Sequence, residues 1–140
     1  MKKLLFVCTG NTCRSPMAEG LCRLLLQQRG ITDVQVSSAG LMAVDGAPAS
    51  RHAIAAMQEL GVDISHHAAR QLTADLMDAD RIVTMTAAQS ELLRSVTDRA
   101  VPMPQEIPDP YGGDLDAYRA CRDAIRAALP TVLEALLYEA

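Results

Sequence analysis

Lys3-Leu4-Leu5-Phe6-Val7-Cys8-Thr9-Gly10-Asn11-Thr12-Cys13-Arg14-Ser15-Pro16 is the stretch on which the architecture turns. Lys3–Val7, apolar from Leu4 onward, suits a central strand buried on both faces. Gly10 and Asn11 tolerate left-handed backbone, which a tight loop needs. Ser15 followed by Pro16 reads as a helix N-cap with proline at the first helical position. A buried strand, a tight loop and a helix start in that order put the loop at the carboxyl end of a parallel sheet, where such folds bind ligands.

The rest of the chain repeats the alternation. Met17, Leu21, Leu24 and Leu25 recur at helical spacing, with Gly30 as a stop. Val34–Ser38 reads as a second strand, and Ser50 to Leu60 as a helix with Ala53, Ile54, Met57 and Leu60 on one face. Thr73–Asp78 is expected to form a short helix and Arg81–Met85 a third strand. Thr86-Ala87-Ala88-Gln89 is a capping-box pattern opening a helix to about Ser95. Arg99–Met103 contains Pro102 and is followed by Pro104, so it reads as an edge strand. A last helix starts near Asp116, with Cys121, Ile125, Leu129, Val132, Leu133 and Leu136 toward the core and Pro130 expected to kink or split it. This β-α-β-α-β-α-β-α order predicts an α/β fold, a parallel sheet with helices on both faces.

Composition narrows the function. A length of 140 residues suits one domain spanning residues 1–140. Lys and Arg total 13 against 17 Asp and Glu, a net charge of −4 with no basic run, which argues against a nucleic-acid partner. A hydrophobic fraction of 49% excludes a disordered chain. The first apolar run, Leu4 to Cys8, is too short for a secretory core of roughly 7–15 residues or a span of about 20. No membrane association and a cytoplasmic location are therefore expected. The four cysteines lack C-x-x-C spacing, so neither a disulfide scaffold nor a zinc site is expected, and no cofactor. Cys22 and Cys121 read as small buried hydrophobes. The modest charge permits a monomer, the expected state.

Cys8 needs a different account. The successive backbone N–H groups of a tight loop, here Thr9, Gly10, Asn11, Thr12 and Cys13, form an anion nest, and the helix N-terminus adds partial positive charge. The same field favours a thiolate at Cys8. Arg14 can hold two phosphoryl oxygens with its planar fork, which lysine cannot copy. Ser15 can donate to the Cys8 sulfur. These parts suit in-line attack on phosphorus and require no metal, because Arg14 and the amides supply the positive field. The leaving group needs a proton, and Asp109 in Ile107-Pro108-Asp109-Pro110-Tyr111-Gly112-Gly113 is the best acid: flanking prolines fix its backbone, and its loop follows the fourth strand. Asp75, Asp78 and Asp80 read as surface charges, and His52 and His66 have no assigned role.

At this point the sequence resembles the low-molecular-weight protein tyrosine phosphatase family. The resemblance rests on Val7 to Glu19, Ser38-Ala39-Gly40, His67-Ala68-Ala69-Arg70-Gln71-Leu72 and Asp109-Pro110-Tyr111, and covers essentially the whole chain. It implies a four-stranded parallel sheet of order 2-1-3-4. It implies that Cys8 becomes phosphocysteine, that Arg14 binds the phosphoryl group, and that Asp109 first protonates the leaving group and then acts as base for the hydrolytic water. Asn11, Ser15, Ser38 and His67 are implied as the polar network shaping the loop. Cys13 matches the family's second loop cysteine, which implies a reversible disulfide with Cys8 that limits over-oxidation. Substrates would be phosphorylated proteins.

Specificity turns on Thr12 and Tyr111. Thr12 in Cys8-Thr9-Gly10-Asn11-Thr12-Cys13-Arg14-Ser15, and an aromatic before Gly112-Gly113, are similar to the bacterial protein arginine phosphatases, although those carry Phe where this chain has Tyr111. A Thr12 hydroxyl offers a hydrogen bond to a guanidinium N–H or an ordered water, and isoleucine there would leave those donors facing hydrocarbon at about 1–3 kcal/mol. Phosphoarginine is the favoured substrate and phosphotyrosine the alternative. Arsenate reduction by thiol relay would need two further cysteines in a central segment, and residues 60–100 contain none. A phosphocarrier module would have no use for Arg14 and Asp109 together.

Overall fold

The computed structural model describes residues 1–138. Its elements run β1 (Lys2–Cys8), α1 (Arg14–Gln28), β2 (Val34–Gly40), α2 (Arg51–Gln58), β3 (Arg81–Thr84), α3 (Ala87–Leu93), β4 (Ala100–Pro102) and α4 (Leu115–Tyr138). The four strands form one parallel sheet of order β2-β1-β3-β4. The architecture is the expected α/β one, and β1, apolar on both faces, sits inside it.

Alternation along β1 divides the core. Leu4 and Phe6 pack with Met17, Leu21, Ile125, Leu129 and Leu133 of α1 and α4, joined by Ala53, Ala56 and Met57 of α2. Leu5 and Val7 face the other side, against Ala39, Ile82, Leu93 and Ala100. Register then fixes the site. Cys8 ends β1 opposite Gly40 of β2, and Val7 lies opposite Thr84 of β3. The three carboxyl ends therefore deliver the loops after Cys8, Gly40 and Thr84 to one edge.

Three local expectations are corrected. Ser15 does not cap α1: the helix begins at Arg14 with Cys13 as N-cap and no side-chain cap, and the Ser15 hydroxyl is engaged with Cys8 and Asn11 instead. Residues 74–77 form a single turn rather than a helix, closed by Met77 N–H on Thr73 O and Asp78 N–H on Asp75 O. Only Leu76 and Met77 of that segment pack on the core, too little apolar surface to extend it. Pro130 does not split α4, which runs unbroken from Leu115 to Tyr138. The carbonyl that loses its donor belongs to Arg126, an exposed residue, so water can satisfy it. Elsewhere reading and structure agree: Thr86 and Gln89 form the capping box, and Ser50 caps α2 by accepting from Ala53 N–H. No described helix is long and apolar enough to cross a membrane.

Candidate active site

The loop between β1 and α1 closes around one residue. Asn11 is fully buried and holds φ at 57°, the left-handed region. Its side chain is used at every polar atom: Nδ2 donates to Ser15 Oγ (2.7 Å) and Ser38 Oγ (3.0 Å), and Oδ1 accepts from Arg70 N–H (3.0 Å). Its carbonyl accepts from His67 Nε2 (2.7 Å), which places a proton on Nε2 because a carbonyl has none to give. Ser38, so engaged, donates to Glu19 Oε1 at 2.6 Å, and Arg70 Nε donates to the Ser38 carbonyl at 2.9 Å. A strained backbone is thus held by α1, β2 and the segment carrying His67 and Arg70.

That network polarises the thiol's surroundings. Ser15 Oγ lies 2.9 Å from Cys8 Sγ. Since Ser15 Oγ already accepts from Asn11, its own proton is directed at the sulfur. The carbonyls of Cys8 and Thr9 accept from Leu41 and Met42 N–H, so the β2 end of the sheet anchors the start of the loop. Gly40 makes this approach possible: a Cβ there would lie 2.7 Å from Thr9 O and 3.0 Å from Asn11 N.

The mouth is a cavity of about 210 Å³ lined by Cys8, Thr9, Gly10, Thr12, Cys13, Arg14, Asp109 and Tyr111. Arg14 is buried, with NH1 donating to the Ile107 carbonyl at 2.9 Å and NH2 lying 3.7 Å from Asp109 Oδ2. The fork is therefore steered by the same loop that carries Asp109. Asp109 is half exposed, and its Oδ1 accepts from Tyr111 N–H at 3.1 Å. Tyr111 stands at the lip, 78% exposed. Thr12 is half-buried, its hydroxyl 3.7 Å from Cys13 Sγ.

Cys13 packs beneath the loop, its thiol donating to Ser50 Oγ (3.6 Å) and lying 3.4 Å from Tyr118 OH. Burial and the Cys13 contact push the Tyr118 hydroxyl up to about 12, so it stays protonated. All four cysteines are free and buried. Burial also pushes the thiols of Cys22 and Cys121 up to about 12, which makes both poor nucleophiles.

All the sequence-selected residues meet at this edge, with Ser38 and His67 behind the loop rather than in the cavity. A second cavity of about 480 Å³ lies on that back side, lined by Glu19, Arg23, Ser38, His67 and Arg70 among others, and contains no part of Cys8. His66 is exposed, and His52 rests tilted against the Tyr118 ring. Glu19, Arg70 and Gln89 were not singled out as functional from sequence. Glu19 and Arg70 lie within the motifs quoted above, but their contacts with Ser38 and Asn11 span 19 and 59 positions. No group of three or more His, Cys, Asp or Glu among the described residues could hold a metal ion.

A thiol under a hydroxyl, an anion-shaped loop and a buried arginine define a phosphate-handling cysteine site. Comparison with known proteins agrees. Residues 3–140 match the family described as low molecular weight phosphotyrosine protein phosphatase. A protein-arginine-phosphatase of Geobacillus stearothermophilus is 34% identical, covering 98% of this chain and 97% of its own. An arsenate reductase of Staphylococcus epidermidis is 37% identical over 93% and 94%. The solved structure of the arginine phosphatase YwlE, a mutant with a phosphorylated active-site serine, superposes with a TM-score of 0.90 at 32% identity, covering 98% of this chain and 97% of that one. The chain belongs to the low molecular weight protein tyrosine phosphatase family, a family of cysteine-dependent protein phosphatases.

Proposed function

We propose that the chain is a protein phosphatase that hydrolyses phosphoarginine in proteins through a phosphocysteine at Cys8. The observation that carries the substrate choice is Thr12, which lines the cavity together with Arg14 and Asp109. A guanidinium leaving group presents N–H donors, and the Thr12 hydroxyl oxygen and a carboxyl oxygen of Asp109 are the acceptors that meet them. Relatives named for arginine dephosphorylation support the same choice.

In the first step Cys8 Sγ attacks phosphorus, the S–P bond forms, and the P–N bond breaks as Asp109 gives its proton to the departing nitrogen. Arg14 and the loop amides hold the equatorial oxygens. In the second step water attacks phosphorus and gives its proton to Asp109. The S–P bond then breaks, and Ser15 stabilises the thiolate that leaves. Inorganic phosphate is released.

Phosphotyrosine is the second reading, favoured by Tyr111, an exposed ring at the lip that can stack on a substrate ring. For arsenate reduction, Cys22 and Cys121 are the wrong relay: both are buried, and their thiols are held far above neutrality. Cys13 is the natural partner for a Cys8 disulfide under peroxide, two thiols giving two electrons and two protons to yield disulfide and water. The protein acts as one phosphatase domain over residues 1–140, as a cytoplasmic monomer. Cys8→Ser tests the reading: turnover should vanish while inorganic phosphate still binds by calorimetry, and appreciable residual turnover would remove Cys8 as nucleophile.

A further inference from the structure

Gln89 reaches the active-site loop from a helix cap. Its Oε1 accepts from Met85 N–H (3.0 Å) and Thr86 N–H (3.2 Å), so the amide cannot flip without setting its NH2 against two backbone donors. The Nε2 group is thereby aimed outward, and it donates to Thr9 Oγ1 at 3.2 Å. Gln89 is itself 7% exposed and fixed by the reciprocal bond that its own backbone N–H donates to Thr86 Oγ1. The sheet makes this meeting possible, because Thr84 lies opposite Val7 and places the start of α3 beside the residue after Cys8.

Thr9 Oγ1 has no other protein partner among the described residues. A hydroxyl that accepts a proton from an amide keeps its own to donate. Thr9 lines the cavity together with Cys8 and Arg14. Phosphoryl oxygens carry only lone pairs, so a hydroxyl presenting its proton attracts them and one presenting a lone pair repels them.

We propose that Gln89 is a positioning residue: its amide sets the polarity of the Thr9 hydroxyl, so that Thr9 donates to a phosphoryl oxygen of bound substrate. This rests on the phosphatase reading above. The cap of α3 and the anion loop then share one side chain, and a change at the cap alters phosphate affinity without touching the loop.

Gln89→Glu isolates the effect. One carboxylate oxygen keeps both backbone bonds of the cap, while the other replaces the amide nitrogen and accepts from Thr9, turning the hydroxyl proton away from the cavity. Gln89→Glu and Thr9→Val should each raise the inhibition constant of inorganic phosphate, and lower kcat/KM on both phosphoarginine and phosphotyrosine peptides, by roughly tenfold or more. The thermal midpoint of Gln89→Glu should hold, and Thr9→Ser, which keeps the hydroxyl, should recover most of what Thr9→Val loses. The double variant separates polarity from simple charge repulsion. Gln89→Glu should cost nothing further in a Thr9→Val background, whereas an added charge would lower phosphate affinity there too. A further loss in the double variant, or a wild-type inhibition constant in Thr9→Val, would overturn the inference, the latter even if Gln89→Glu failed to fold. A wild-type protein that neither hydrolyses phosphopeptides nor binds phosphate would instead refute the phosphatase reading, and this inference with it.

Discussion

Replacing Asn11 should damage both the fold and the reaction, by an amount that can be worked out from its contacts. Asn11→Ala leaves Arg70 N–H without the acceptor it has at 3.0 Å. It also strips one partner each from the Ser15 and Ser38 hydroxyls, which keep Cys8 and Glu19 respectively. An orphaned amide costs about 1–3 kcal/mol and each lost partner about 0.5–1.5 kcal/mol. Alanine at φ 57° adds a left-handed penalty of about 1 kcal/mol relative to glycine. The sum, about 3–7 kcal/mol, is a large share of the ~5–15 kcal/mol that holds a typical domain folded. Asn11→Gly makes the same hydrogen-bond loss without the backbone penalty, so it should be about 1 kcal/mol less destabilised. Urea unfolding followed by circular dichroism reads both values from midpoint shifts at constant slope. Because the loop loses its shape in either variant, kcat/KM should fall on the order of 100-fold in both. A loss below about 1 kcal/mol with wild-type turnover would refute the reasoning, since Asn11 would then be neither anchor nor strained.

Two further perturbations test the frame around the loop. Gly40→Ala should reduce kcat/KM sharply and stability by about 1–3 kcal/mol, because the new Cβ would sit 2.7 Å from the Thr9 carbonyl; wild-type kcat/KM would show that the loop tolerates the shift. Glu59 ties the end of α2 to α4, accepting from Arg119 and Arg122, and those bonds hold its carboxyl at about 2 against a usual 4.5. A depressed folded value means the stabilisation is complete above 4.5 and disappears as pH falls toward 2. Thermal midpoints of wild type and Glu59→Gln should therefore differ above pH 4.5 and converge below it; a gap that stays constant on acidification would contradict the assignment.

Local rules made β1 and its loop legible, because a two-sided apolar strand, Gly10-Asn11 and a helix start lie within a few residues of one another. The same rules misplaced Ser15. A serine before proline is a good cap in isolation, but here its oxygen lies against the thiol and the Asn11 amide, and the helix starts at Arg14 without a side-chain cap. Thr73–Asp78 had suitable residues but no apolar stripe to bury, so only one turn formed. Pro130 was tolerated because Arg126, four residues earlier, is exposed. The contacts that shape the site join residues far apart in sequence: His67 with Asn11 across 56 positions and Gln89 with Thr9 across 80. No local spacing announces such pairs. The motif resemblance indicated His67, whereas the capping-box pattern placed Gln89 at a helix start and gave no sign of its reach to Thr9.

Specificity for phosphoarginine is decided by kcat/KM measured on one peptide scaffold carrying phosphoarginine and then phosphotyrosine, repeated for Thr12→Ile. Thr12 lines the cavity that must accept the group attached to phosphorus. The wild type should prefer phosphoarginine, and that preference should collapse or invert in Thr12→Ile by roughly the tenfold or more that one mispaired polar group is worth. A phosphotyrosine preference that the substitution leaves unchanged would contradict it and make the protein a tyrosine phosphatase with a neutral threonine in its loop.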